Sequence, residues 1–174
     1  MSKNIPISLL ELAIVTQGST TSETLTKTKE LAQLADSLEY NRFWLAEHHN
    51  MQHVASSATV VLISYIASQT KKIRVGSGGI MLPNHSPLII AEQFGTLATL
   101  YPDRIDLGLG RAPGSDQITA MAIRGDRFNA AHDFPTDVRK LQLYLSDENK
   151  NAKVRAIPGE GTNVPIWILG SSTD

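Results

Sequence analysis

The chain contains no cysteine, which removes disulfides, thiolate metal sites and a cysteine nucleophile from consideration. Aromatic residues are scarce, 6% of 174, although apolar residues at 41% are ample for a globular core. An excess of charge of one sign is also missing: 16 Lys and Arg face 17 Asp and Glu, a formal net charge of −1. That balance gives no reason to expect nucleic acid, whose binding rests on neutralising phosphates. No apolar run approaches the roughly 18 residues of a membrane span, so no membrane partner is expected. The opening Met1-Ser2-Lys3-Asn4-Ile5-Pro6 lacks the apolar stretch and small-residue cleavage site of a signal peptide. The cytoplasm is the expected address. A Gly-x-Ser-x-Gly elbow is absent too, leaving Ser-His-Asp catalysis without support.

What is present alternates. Residues 7–13 form an apolar run of strand length, and Thr20-Thr21-Ser22-Glu23 then offers a capping box. Leu31, Leu34, Ala35 and Leu38 follow at helical spacing. Residues 42–46 read as a second strand, Val60, Val61, Ile63 and Ile66 as a second helix, and residues 73–82 as a third strand broken by glycines. Ser86-Pro87 is a helix start, with a capping hydroxyl followed by proline at the first helical position. Residues 105–110 are a fourth strand, Phe134, Val138, Leu141 and Leu145 mark a fourth helix, and residues 164–169 a fifth strand. Residues 147–153 read as a polar loop. Near-continuous apolar strands alternating with helices predict a parallel sheet covered by helices, either doubly wound or closed into a barrel. In both, function sits at the carboxyl ends of the strands.

The chemically distinctive residues fall there: Glu47-His48-His49, Gly78-Gly79, Gly110-Arg111 and Gly170-Ser171-Ser172. Glu47, His49 and His53 have spacing compatible with a zinc site, but Asn50 and Met51 point to a loop, and the expectation is no metal. A surface or packed histidine pair is the bland alternative; a histidine at a strand's end reads better as an acid/base or cofactor-facing group. Gly108-Leu109-Gly110-Arg111-Ala112-Pro113-Gly114 lacks dinucleotide-fingerprint spacing and follows the fourth strand rather than the first. Its glycines let a ligand approach, and Arg111 can grip a phosphate. Gly76-Ser77-Gly78-Gly79 marks a bulge or a flat surface beside something bulky. Ser171 and Ser172 offer small hydroxyls and free amides, or are an ordinary serine-rich tail.

Taken together, RFWLAEHHN at 42–50, IRVGSGGIMLPNHSP at 73–87, AEQFG at 91–95 and DRIDLGLGRAPG at 103–114 resemble the bacterial-luciferase-like flavin monooxygenases. The resemblance implies a (β/α)8 TIM barrel, with residues 1–174 as its N-terminal part: about four βα units plus the fifth strand. Such a barrel takes roughly 250 residues. It further implies an enzyme that uses reduced FMN and O2 to oxidise a small organic substrate, with deazaflavin as the less favoured cofactor. A flavin reductase and a homodimer are the implied partners. Alternatives are a non-catalytic flavin-binding protein or an inactive fragment of the enzyme.

By position, the resemblance implies that His48 and Glu47 are catalytic, with His48 the acid/base. Gly78 and Gly79 back the flavin ring, with a cis peptide or bulge, and Arg111, Ser171 and Ser172 hold its phosphate. Glu11 is expected to point into the pocket. The family usually has glycine where Leu38-Glu39-Tyr40 stands, so Glu39 is expected to take a left-handed cap at a cost of about 1 kcal/mol. Leu9, Phe43, Leu45, Val75, Leu107 and Ile168 are expected to face the barrel interior, left open here for another chain, most simply a second copy, or for the missing half of the barrel to cover.

Overall fold

The computed structural model describes residues 5–112, 116–125 and 132–170. β1 (Ser8–Glu11), β2 (Arg42–Leu45), β3 (Arg74–Met81), β4 (Ile105–Gly110) and β5 (Ile166–Leu169) form one parallel sheet in the order β1-β2-β3-β4-β5. The crossovers carry α1 (Thr21–Ser37), α2 (Thr59–Gln69), α3 (Pro87–Leu100), and then both α4 (Gln117–Arg124) and α5 (Phe134–Leu145). The strand order never reverses, so these five strands lack the switch point of a doubly wound sheet.

Local chemistry sets the boundaries. Glu23 N–H donates to Thr20 Oγ1 at 3.2 Å and Thr20 N–H to Glu23 Oε2 at 2.8 Å, the reciprocal pair that opens α1. Beyond the end of α1, Glu39 has φ +58°, the left-handed conformation expected of it. The Asp36 carboxylate accepts N–H bonds from Lys71, Lys72 and Ile73, tying α1 to the chain entering β3. Arg104 donates to the carbonyls of Ala67, Thr70 and Ile73 and so holds the end of α2 against the start of β4. The start of α3 falls at Ser86-Pro87, but the Ser86 hydroxyl makes no capping bond; Pro87, with no N–H to satisfy, is the signal that counts. Two elements differ from expectation. α4 is eight residues long, too short for a clear helical period. The stretch read as a polar loop holds a 3-10 turn, Asp147–Asn151.

One face of the sheet packs beneath the helices. Phe43, Leu45, Val75, Leu107 and Leu109 are 0% exposed there, and Ile63, Ile66, Phe94 and Leu141 from the helices join the same cluster. Each such side chain is worth about 1.5–3 kcal/mol. This reverses the expected orientation: Leu9, Phe43, Leu45, Val75 and Leu107 face the helices, not the opposite side. Strand side chains alternate, so a parity error of one residue turns every position over. The opposite, open face carries Leu10, Trp44, Gly76, Asp106, Gly108 and Trp167, with Arg42 and Arg74 at the strand starts. Ile168, in register with Leu109, is also on the helix side, yet 57% exposed.

Candidate functional site

The carboxyl ends of the strands bring the distinctive residues to one edge. Glu47 follows β2 and is buried. Its Oε2 accepts the Met81 N–H at 2.9 Å; its Oε1 faces His49 Nε2 at 2.6 Å and His85 Nε2 at 2.7 Å. One carboxylate thus joins the end of β2, the end of β3 and the 3-10 turn Leu82–Asn84 that leads to His85. Burial alone would raise the Glu47 pKa. The hydrogen bond and charge of His85, with hydrogen bonds from His49 and Met81 N–H, hold it below the ordinary carboxylate value.

His85 replaces His53 in this cluster. His53 is exposed, and its backbone carbonyl accepts from Val15 N–H. Glu47, His49 and His85 place three potential ligand atoms within 4.8 Å of one another. Ligands about 2.0–2.1 Å from a tetrahedral zinc stand roughly 3.3 Å apart, whereas these N···O contacts of 2.6 and 2.7 Å are charge-assisted hydrogen bonds. The cluster as it stands is a carboxylate held by two imidazoles. Its histidine lay in the sequence as Leu82-Pro83-Asn84-His85-Ser86-Pro87, but nothing in linear spacing pairs it with a residue 38 positions away.

His48 sits between these residues with its side chain partly exposed, and its Nδ1 is buried without a hydrogen-bond partner among the described residues. The chain after it turns through Asn50, at φ +56°, whose Nδ2 donates to Thr119 Oγ1 on α4 at 3.0 Å. Within β3 the Gly78–Gly79 peptide is cis, and the register against β4 shifts between Ser77 and Ile80. A Cβ on Gly79 would lie 2.8 Å from the Gly108 carbonyl oxygen, a backbone atom that bars a side chain, whereas one on Gly78 would lie 2.6 Å from Leu10 Cδ1, the movable end of a side chain, and 3.2 Å from Trp44 Cβ. Arg111, just beyond β4, is exposed and has no ion pair or hydrogen bond with the described residues. Gly170, just past β5, is exposed; Ser171 and Ser172 lie outside the described residues.

Glu11 does not join the site. It shares the parity of Leu9, and its Oε1 accepts from Ala13 N–H and from Thr28 Oγ1 on α1, so it braces the turn after β1.

Architecture and site together define an α/β protein with Glu47, His48, His49, His85 and Gly78–Gly79 gathered at or near the carboxyl edge of a parallel sheet. The chain belongs to the luciferase-like monooxygenase family, whose model matches residues 8–174. It is 60% identical over 171 residues to the Bacillus subtilis (strain 168) protein YvbT, covering 98% of this chain and 51% of that protein. It is 55% identical over 170 residues to an Escherichia coli (strain K12) luciferase-like monooxygenase, covering 98% and 51%. The crystal structure of apo-MsnO8 superposes with a TM-score of 0.90 at 42% identity, covering 97% of this chain and 50% of that one. The oxygenating constituent of 3,6-diketocamphane monooxygenase from Pseudomonas putida, solved with FMN, shares the fold: TM-score 0.72, 19% identity, 94% and 50% covered. The chain spans about half the length of these relatives. No helix among the described residues is long and apolar enough to cross a membrane.

Proposed function

We propose that this chain forms one half of a (β/α)8 barrel whose whole is a cytoplasmic, flavin-dependent monooxygenase acting on a small organic substrate. The observation that carries the reading is the juxtaposition at one sheet edge of His48, with a buried Nδ1 unpartnered among the described residues, and the side-chain-free Gly78-Gly79 segment. The sequential parallel strand order supports the barrel.

The residues present fit a flavin. Gly78 and Gly79 offer a flat backbone wall for a planar ring, and Arg111 offers an uncommitted guanidinium for a phosphate. Ser171 and Ser172 are assigned to the same phosphate. Reduced FMN, when bound, supplies the electrons that activate O2, from a reductase partner. Glu47, held ionised, fixes His49 and the ends of β2 and β3, so the backbone carrying His48 is rigid. His48 holds or moves a proton at its imidazole as the substrate is oxidised.

Titration of FMN, and separately of a deazaflavin, into the full-length family protein carrying this half tests the cofactor assignment. The expected result is quenching of FMN fluorescence by a saturable site and no response to the deazaflavin. His48→Ala should leave FMN affinity within a few-fold and lower oxygen-dependent turnover by about 10²-fold. Unchanged turnover would make His48 structural, and absence of oxygen-dependent turnover in the native protein would leave it a flavin-holding role.

A further inference from the structure

We infer that the open face of the sheet docks a β/α polypeptide unlike this chain, one that sets a carboxylate on Arg42. The inference rests on the half-barrel reading above and goes beyond it by naming the contact and excluding a second copy as the cover.

Asp106, 0% exposed, lies between two guanidiniums. Arg74 spends its donors on both Asp106 oxygens and on the carbonyls of Asp103 and Ile105. Arg42 is different. Its Nε donates to Asp106 Oδ2 at 3.0 Å, but its two terminal nitrogens donate to no acceptor among the described residues. Its guanidinium lies 4.7 Å from the centre of the Trp167 ring, and Trp44 meets that ring edge-on at 5.8 Å. The fork of Arg42 is therefore already oriented by an aromatic surface and by Asp106, with its outer nitrogens unspent.

The same face needs a cover. Leu10 and Trp167 are 51% and 41% exposed on it. Among the described residues β1 pairs only with β2, and β5 only with β4, so each presents an unpaired ladder there. Arg42, Arg74 and Asp106 are the charged residues at the strand positions of this face, and they sum to one positive charge. Once covered, Arg42 loses water, and a buried guanidinium requires a counter-charge. A second copy brings the same two arginines and one aspartate, setting positive against positive. A polypeptide with an acid at this level satisfies the fork bidentately. Relatives have the material to supply it, since this chain covers only 51% of the Bacillus subtilis protein at 60% identity.

The test mixes the 174-residue chain with the half of that Bacillus subtilis protein which it does not cover, followed by sedimentation and calorimetry. A 1:1 complex is expected. Arg42→Met should weaken it by about tenfold or more, and Arg42→Lys, which keeps the charge but loses the fork, by less. Arg42→Lys also serves if the methionine variant does not fold. A complex that both variants form within twofold of the native affinity overturns the Arg42 contact and leaves the half-barrel reading standing. Self-association that the added half cannot displace overturns the choice of partner. No association with the added half, with the chain a folded monomer, overturns the half-barrel reading itself.

Discussion

The two faces of the same five strands are built from different chemistry. Toward the helices stand Phe43, Leu45, Val75, Leu107 and Leu109, all 0% exposed. On the other side the same strands present Arg42, Trp44, Arg74, Asp106 and Trp167, with Gly76 and Gly108 between them. The first face needs only volume and close packing, so any large aliphatic or phenyl group of the right shape serves. The second is held by directional contacts, among them Trp44 Nε1 to Asp106 Oδ2 at 3.4 Å and Arg42 over Trp167. A layer of this kind has few substitutes for each partner. Stability is concentrated on one face, and the proposed partner contact lies on the other.

The largest effect expected falls on the covered face. Phe43→Ala should cost about 3–5 kcal/mol in chemical denaturation, through lost burial and a cavity that neighbouring helices fill only partly. Trp44→Ala, one residue on and half-turned to the open side, should cost clearly less despite removing the larger ring. Equal losses would break the distinction between the faces.

Much of this was legible in the sequence, and the exceptions have physical causes. The strand–helix alternation, the Thr20–Glu23 capping box, the Pro87 helix start and the left-handed Glu39 are local, set by residues a few positions apart. Face orientation was not legible. Residues 42–46 carry apolar groups on both parities, so periodicity gives no direction there. In residues 105–110 Ile105, Leu107 and Leu109 do alternate with Asp106, Gly108 and Gly110, but where both faces are to be covered the alternation alone does not say which face the apolar set meets. Glu11 was misplaced for the same reason, since it shares the parity of Leu9 and Leu45. In the site, Glu47, His48 and His49 were visible because they are adjacent. His85 was not, because its link to Glu47 exists only once β2 and β3 are neighbours. α4, whose Thr119 receives the Asn50 side chain, was missed because a helix of eight residues has barely two turns of pattern.

The next effect lies at the edge between the two faces. Glu47→Gln removes a buried charge that meets three donors, and each hydrogen bond to a charged group is worth about 1.5–3 kcal/mol. Two of the three can be kept in part by the amide oxygen, so a net loss of about 2 kcal/mol at neutral pH is expected. The pH dependence follows from the lowered Glu47 pKa, produced by the His85, His49 and Met81 contacts against the opposing cost of burial. A depressed folded-state pKa gives stability that is present above the unfolded value of 4.5 and lost as pH falls through the folded value. The native chain should therefore destabilise on acidification below about pH 4.5 more steeply than the glutamine variant. Parallel acid-denaturation curves for the two would remove Glu47 from its anchoring role.

The smallest effect sharpens the comparison within a single register pair. Leu109 and Ile168 are cross-strand partners on the helix side, yet Leu109 is 0% exposed and Ile168 57%. Both are large aliphatic side chains on the same face, so the difference is cover: α2 packs on β3 and α3 on β4, while β5 is an edge. Leu109→Ala should cost about 2–5 kcal/mol. Ile168→Thr, which keeps the branched shape that a strand favours and removes only apolar surface, should change stability by no more than about 0.5 kcal/mol. Adding the complementary half of the Bacillus subtilis relative should alter the second result but not the first. A helix packed over β5 would bury Ile168, and the threonine variant would then lose about 1 kcal/mol or more of the complex's stability. Thermal melts of both variants, alone and with the added half, separate the cases. If Ile168→Thr is already costly in the chain alone and the cost grows with protein concentration, copies of the chain are covering β5 for one another. The charge argument against a second copy would then have to be confined to the opposite face.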